Sequence, residues 1–168
     1  QEIRSRIQET DESVPVHHGG WWYVTRTIEG KSYPVFCRGR AIDQADQVIL
    51  DCNVEAEGHE YFDVHAVEPS PDHSLLAWSS DVDGSEIYTL RVRDLATGRE
   101  LPDELTGTSS WGGVAWSADG QWLFYARPDE QMRPHEIWRH RLGTPMSDDV
   151  LVLREDDVRF GLAVEATR

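Results

Sequence analysis

Four stretches of the chain hold residue types whose spacing could do chemistry. His135-Glu136-Ile137-Trp138-Arg139-His140 puts two imidazoles and a carboxylate within six residues. A zinc pair on one helix face needs histidines four apart, and these are five apart, so on a strand they point to opposite faces. Asp81-Val82-Asp83-Gly84 sets carboxylates at alternate positions, as calcium prefers, but no third ligand precedes the glycine and no glutamate follows at the loop-closing distance. It reads better as a hairpin. Gly107-Thr108-Ser109-Ser110-Trp111 lacks the second glycine of a nucleophile elbow. Trp111-Gly112-Gly113 precedes a strand pattern rather than the helix a phosphate cradle requires. His17-His18 and His59-Glu60 read as surface loop residues rather than metal ligands. No residue is therefore assigned to catalysis, to a cofactor or to a metal, and residue chemistry alone describes a scaffold or binding module.

The elements that carry these residues are strands. Beyond the first dozen positions, short apolar and aromatic runs alternate with Gly, Asp, Pro and Ser clusters every eight to fifteen residues. The exception is Glu2 to Gln8, where Ile3 and Ile7 share a helical face, and a short lead-in helix is expected there.

Self-similarity organises the rest. Ser70-Pro71-Asp72-His73-Ser74-Leu75-Leu76-Ala77-Trp78 lies over Ser117-Ala118-Asp119-Gly120-Gln121-Trp122-Leu123-Phe124-Tyr125, 47 positions on. Glu86-Ile87-Tyr88-Thr89-Leu90-Arg91 lies over Glu136-Ile137-Trp138-Arg139-His140-Arg141, 50 positions on, so one hairpin is longer in the second copy. A weaker copy comes first, with Trp21 to Val24, the turn Glu29-Gly30-Lys31, Tyr33 to Arg38 and Gln47 to Leu50. Four antiparallel strands recurring at this period mark a β-propeller blade. The expected fold is all-β: a partial β-propeller of three four-stranded blades plus the beginning of a fourth. The lead-in takes residues 1–12, and the blades take 13–55, 60–105 and 111–155, with 157–168 starting the next. In the middle blade the strands are placed near His65 to Val67, Leu75 to Ser79, Ile87 to Val92, and Glu100-Leu101.

Propellers close with roughly four to eight blades, so three and a fraction leave two apolar blade faces open, which a monomer avoids. The chain therefore reads as a piece of a longer protein that self-associates when isolated.

Charge and composition narrow the partners. Sixteen basic against 31 acidic residues give a net charge of −15, the opposite of a phosphate-tracking surface, so nucleic acid is not expected. Seven Trp, five Tyr and four Phe remove the chain from the disordered class. Its apolar runs, such as Trp21 to Val24, are too short to span a bilayer. Cys37 and Cys52 lack metal or disulfide spacing, which suits free thiols and a cytoplasmic location.

Several stretches together resemble a known family. They are Glu29 to Arg38, Glu57 to Phe62, Pro69 to Asp72, Asp81 to Val92 and Trp138 to Thr144, together with the lead-in Ile3 to Ile7 through Ser13-Val14-Pro15. They are similar to the propeller of the oligopeptidase B type, also called protease II, within the prolyl oligopeptidase family of serine peptidases. The resemblance implies a parent with a seven-bladed propeller and an α/β-hydrolase domain, cleaving short peptides after Arg or Lys by Ser-His-Asp acyl transfer. It implies that the propeller gates the active site against large substrates. It also implies that the triad lies in the hydrolase domain, outside this chain, which is then inactive alone. Inner strands would line the central tunnel, with Asp63 and His65 as candidate tunnel-facing groups. A non-enzymatic propeller that binds a protein or glycan, and the propeller of a prolyl-specific peptidase, stay open as alternatives.

Overall fold

A computed structural model describes residues 10–167. The lead-in helix expected near residues 2–8 lies outside them. The chain divides into two compact units, Gln1–Gly58 and His59–Arg168.

The first unit is one antiparallel sheet. Strands β1 (Asp11–Glu12) and β2 (Val16–His18) both pair with one edge of β3 (Trp21–Thr27), followed by β4 (Val35–Gly39) and β5 (Gln47–Asp51). The innermost position of this blade is thus split. Pro15, between the two pieces, has no N–H to give a ladder, and just before it the Ser13 hydroxyl accepts the Thr25 N–H at 2.9 Å. Val24, Val35, Cys37 and Ala45 form its core. After β5 comes a one-turn helix, α1 (Cys52–Glu55), which the repeat pattern did not anticipate. Asp51 starts it as N-cap, accepting the Asn53 N–H at 2.9 Å.

The second unit holds two four-stranded sheets in sequential order. One comprises β6 (Asp63–Pro69), β7 (Leu75–Asp81), β8 (Ile87–Asp94) and β9 (Glu100–Ser109). The other comprises β10 (Val114–Trp116), β11 (Trp122–Pro128), β12 (Pro134–Arg141) and β13 (Val150–Arg154), with a 3₁₀ turn at Met146–Asp148. The outer strand β9 runs well beyond the Glu100-Leu101 core of the sequence reading, because Leu101, Asp103 and Leu105 alternate inward and extend the pattern. Residues 157–167, expected to begin a further blade, form no strand. A strand is defined by a ladder partner, and this segment instead donates Leu162 N–H to Pro134 and Val164 N–H to Gly112, each at 2.8 Å.

The core of this unit lies between its two sheets. Ala77, Leu90 and Leu105 pack with Trp116, Leu123 and Tyr125 in one cluster. Burying a leucine fully stabilises by about 1.5–3 kcal/mol, and Leu90 and Leu123 are each 0% exposed. A polar bond crosses the same seam, from the Trp116 indole N–H to the Glu68 carbonyl at 2.8 Å.

The two copies of the serine–aspartate corner share the same serine bonds. Ser70 Oγ donates to Asp72 Oδ1 (2.7 Å) and accepts the Leu75 N–H (2.9 Å), while Ser117 Oγ donates to Asp119 (2.6 Å) and accepts the Trp122 N–H (2.9 Å). Each corner needs one left-handed residue, supplied by His73 (φ 61°) in one blade and Gly120 (φ 67°) in the other.

Two measurements check this packing. The hydroxyls of Ser70 and Ser74 and the Ser74 N–H hold the Asp72 carboxyl down to about 2. Against an unfolded value of about 3.9, its stabilising effect is complete above pH 4 and disappears as pH falls toward 2, so carboxyl NMR titration should give a midpoint near 2. Gly112→Ala would place a Cβ 2.0 Å from that of Ala126, whereas one at Gly161 meets nothing closer than 3.7 Å. Urea unfolding should show a loss of about 1–3 kcal/mol for the first and little change for Gly161→Ala.

Candidate functional site

Inner strand β6 carries both residues singled out as candidate tunnel groups. Asp63 is half-buried, and its Oδ2 accepts the Tyr88 hydroxyl at 2.5 Å. Burial and this carboxylate push the Tyr88 hydroxyl up, so tyrosine stays the donor. His65 is exposed, with its ring 5.8 Å from that of Tyr88. Asp63 and His65 thus share Tyr88 as a neighbour, and Asp63 spends one oxygen on holding β6 to β8. This stretch of β6 carries an exposed imidazole beside a half-buried carboxylate.

The carboxylates that suggested calcium are used by the backbone. Asp81 is 1% exposed. Its Oδ1 accepts the N–H groups of Asp83 (2.9 Å) and Gly84 (3.0 Å), and its Oδ2 that of Glu86 (2.8 Å). These bonds wind the hairpin between β7 and β8, where Gly84 (φ 79°) and Glu86 (φ 61°) take left-handed conformations. Asp83 in turn is held below the usual carboxylate range by the hydroxyl and N–H of Ser85. Among the described residues no cluster of three or more His, Cys, Asp or Glu is arranged to hold a metal ion.

Ser109 is buried at the end of β9 and accepts the Trp111 N–H at 3.3 Å. The glycines that follow serve close packing, since Gly112 abuts Ala126 and a side chain at Gly113 (φ 72°) would meet the Val164 carbonyl at 2.5 Å. Trp111 beside them is 74% exposed.

His135 and His140 occupy β12 in different surroundings. His135 is partly exposed, and its Nδ1 is buried without a hydrogen-bond partner. His140 is fully buried. Its Nδ1 lies 2.6 Å from Asp149 Oδ1 and its Nε2 lies 3.0 Å from Asp103 Oδ1. With a carboxylate on each nitrogen, this imidazole cannot act as a base toward a serine. Sequence reasoning missed the cluster because Asp103 lies on β9, in the neighbouring sheet, 37 residues away. The one available signal was inward alternation of polar residues along two strands.

No helix among the described residues is long and apolar enough to cross a membrane. Replacing Asp81 by Ala would strip the hairpin N–H groups of Asp83, Gly84 and Glu86 of their buried acceptor. Water can reach these N–H groups, so the loss in urea unfolding should be about 1.5–3 kcal/mol, the worth of a bond to a charged group, and Asp81→Asn should recover part of that.

Comparison with known proteins agrees with this geometry. In the curated set, the chain is 34% identical to Protease 2 of Moraxella lacunata over 97% of its length, and 37% identical to dipeptidyl aminopeptidase BI of Pseudoxanthomonas mexicana over 99%. It spans about a quarter of each, 24% and 25%. Among solved structures, oligopeptidase B from Leishmania major superposes with a TM-score of 0.85 at 36% identity, covering 93% of this chain and 22% of that one. Oligopeptidase B from Trypanosoma brucei with covalently bound antipain, in its closed form, gives 0.81 at 33% identity, with the same coverages. The description "Prolyl oligopeptidase, N-terminal beta-propeller domain" matches residues 1–168 throughout, and the chain belongs to that family.

Proposed function

We propose that this chain is the access-controlling part of a serine oligopeptidase that cleaves short peptides after Arg or Lys, and that it has no peptidase activity alone. The observation that carries the reading is coverage. A chain matched from end to end by a propeller family spans only a quarter of its peptidase relatives. The described residues also offer a scaffold of satisfied polar groups, with the buried imidazole flanked by carboxylates. Residues 13–55, 60–105 and 111–155 then serve as successive blades, with 157–168 leading into another. Asp63 and His65 face the channel along the ring axis. The net charge of −15 raises the local concentration of cationic peptides near that channel. The parent works in the cytoplasm, and the isolated chain covers its open blade faces by self-association.

The relationship to dipeptidyl aminopeptidase BI favours a second specificity, release of dipeptides from a free N-terminus. Paired arginyl amide substrates, one with a blocked and one with a free amine, separate the two when given to the longer protein that carries this chain. The oligopeptidase reading expects cleavage of the blocked substrate.

Purified residues 1–168 should turn over no arginyl amide, and measurable hydrolysis by the chain alone would overturn the assignment. Light scattering should find oligomers of this chain, and a stable monomer would remove the self-association.

A further inference from the structure

The seam between the two sheets of the second unit contains a chain of buried ionisable groups. Asp103, on β9, is 3% exposed, and His140, on β12, is 0% exposed. Asp149, just before β13, has a side chain only 2% exposed. On Asp103, Oδ1 also accepts the Gly143 N–H at 2.5 Å. On Asp149, Oδ2 accepts the Tyr125 hydroxyl at 2.7 Å. Tyr125 comes from β11, and burial together with Asp149 pushes its hydroxyl up, with Arg127 opposing and Glu136 adding to the shift. The arginines flanking His140 on its own strand turn away, Arg139 and Arg141 both lying over the Trp122 ring.

These partners count the protons. A backbone N–H can only donate, so Asp103 Oδ1 accepts it, and because imidazole is a stronger base than a carboxylate, the proton on the Nε2 line belongs to the nitrogen, which donates. Tyr125 donates to Asp149 Oδ2, leaving Oδ1 as the acceptor for Nδ1. Each nitrogen–oxygen line needs its own proton, or two lone pairs face each other inside the protein. A neutral imidazole supplies one such proton, and the geometry requires two.

We infer that the two sheets are latched by an additional proton on His140, which bridges Asp103 of one sheet and Asp149 of the other as an imidazolium between two carboxylates. The device makes the seam proton-dependent. Unfolded, the two aspartates are ionised and the histidine is mostly neutral above about pH 6.5. The latched state then binds one proton more than the unfolded state. Unfolding releases that proton, and stability falls as pH rises.

Asp149→Asn tests this directly. An asparagine can accept the Tyr125 hydroxyl through its oxygen and donate its amide N–H to Nδ1, so every partner is satisfied with a neutral imidazole. Urea unfolding of the 168-residue chain between pH 7 and 8 should show the unfolding constant rising about tenfold more steeply per pH unit in the wild type than in the variant. Parallel profiles would overturn the latch. Ring-nitrogen NMR of the wild type at pH 7.5 should find N–H on both nitrogens of His140. A bare ring nitrogen would overturn it as well, and this measurement decides the question on the wild-type chain alone if the variant does not fold.

Discussion

A four-stranded twisted sheet has two faces, and in this protein the rest of the second unit follows from the need to cover them. Leu90, Val92 and Leu105 on one sheet and Leu123 and Tyr125 on the other are all buried in a single cluster. Neither sheet could bury these side chains alone, so the unit of stability is the sheet pair and not the sheet. Everything regular about the sequence, including the repeat itself, serves that stacking.

Stacking by apolar contact alone would leave the sheets free to slide, because hydrophobic attraction has no direction. Polar groups in the seam supply the register. The Trp116 indole reaches the Glu68 carbonyl across it, and His140 reaches Asp103. Such groups are costly to bury unless every one is satisfied. Both oxygens of Asp149 and both nitrogens of His140 are satisfied here. The serine–aspartate corners work in the same way at the sheet ends, where short side chains take up backbone groups that no strand can pair.

Membership in the prolyl oligopeptidase propeller family fits a chain whose acidic and histidine residues are so largely committed to structure. Asp81 winds a hairpin, Asp72 and Asp119 close corners, and Asp63 ties the inner strand β6 to β8. His65 and Trp111 stay exposed.

The strands and their repeat were legible from the sequence, because alternation of inward and outward residues is local and turn chemistry is written in single residues such as Gly84 and Gly120. The SPD and SAD corners, 47 residues apart, align in the sequence, and the structure gives both the same serine-to-aspartate hydrogen bond. The hairpin character of Asp81 to Glu86 was legible for the same reason. Legibility ended where partners come from different sheets. Nothing in the residues around His140 announces Asp103, and Pro15 marks a break in pairing without announcing that both pieces return to the same edge of β3. Likewise, the apolar run Phe160 to Val164 has the composition of a strand but no ladder partner among the described residues. Composition and period determined which segments become strands and how they repeat. Which buried charges meet across the seam was decided only by tertiary structure, because that pairing depends on the stagger between two sheets, a quantity no local pattern encodes.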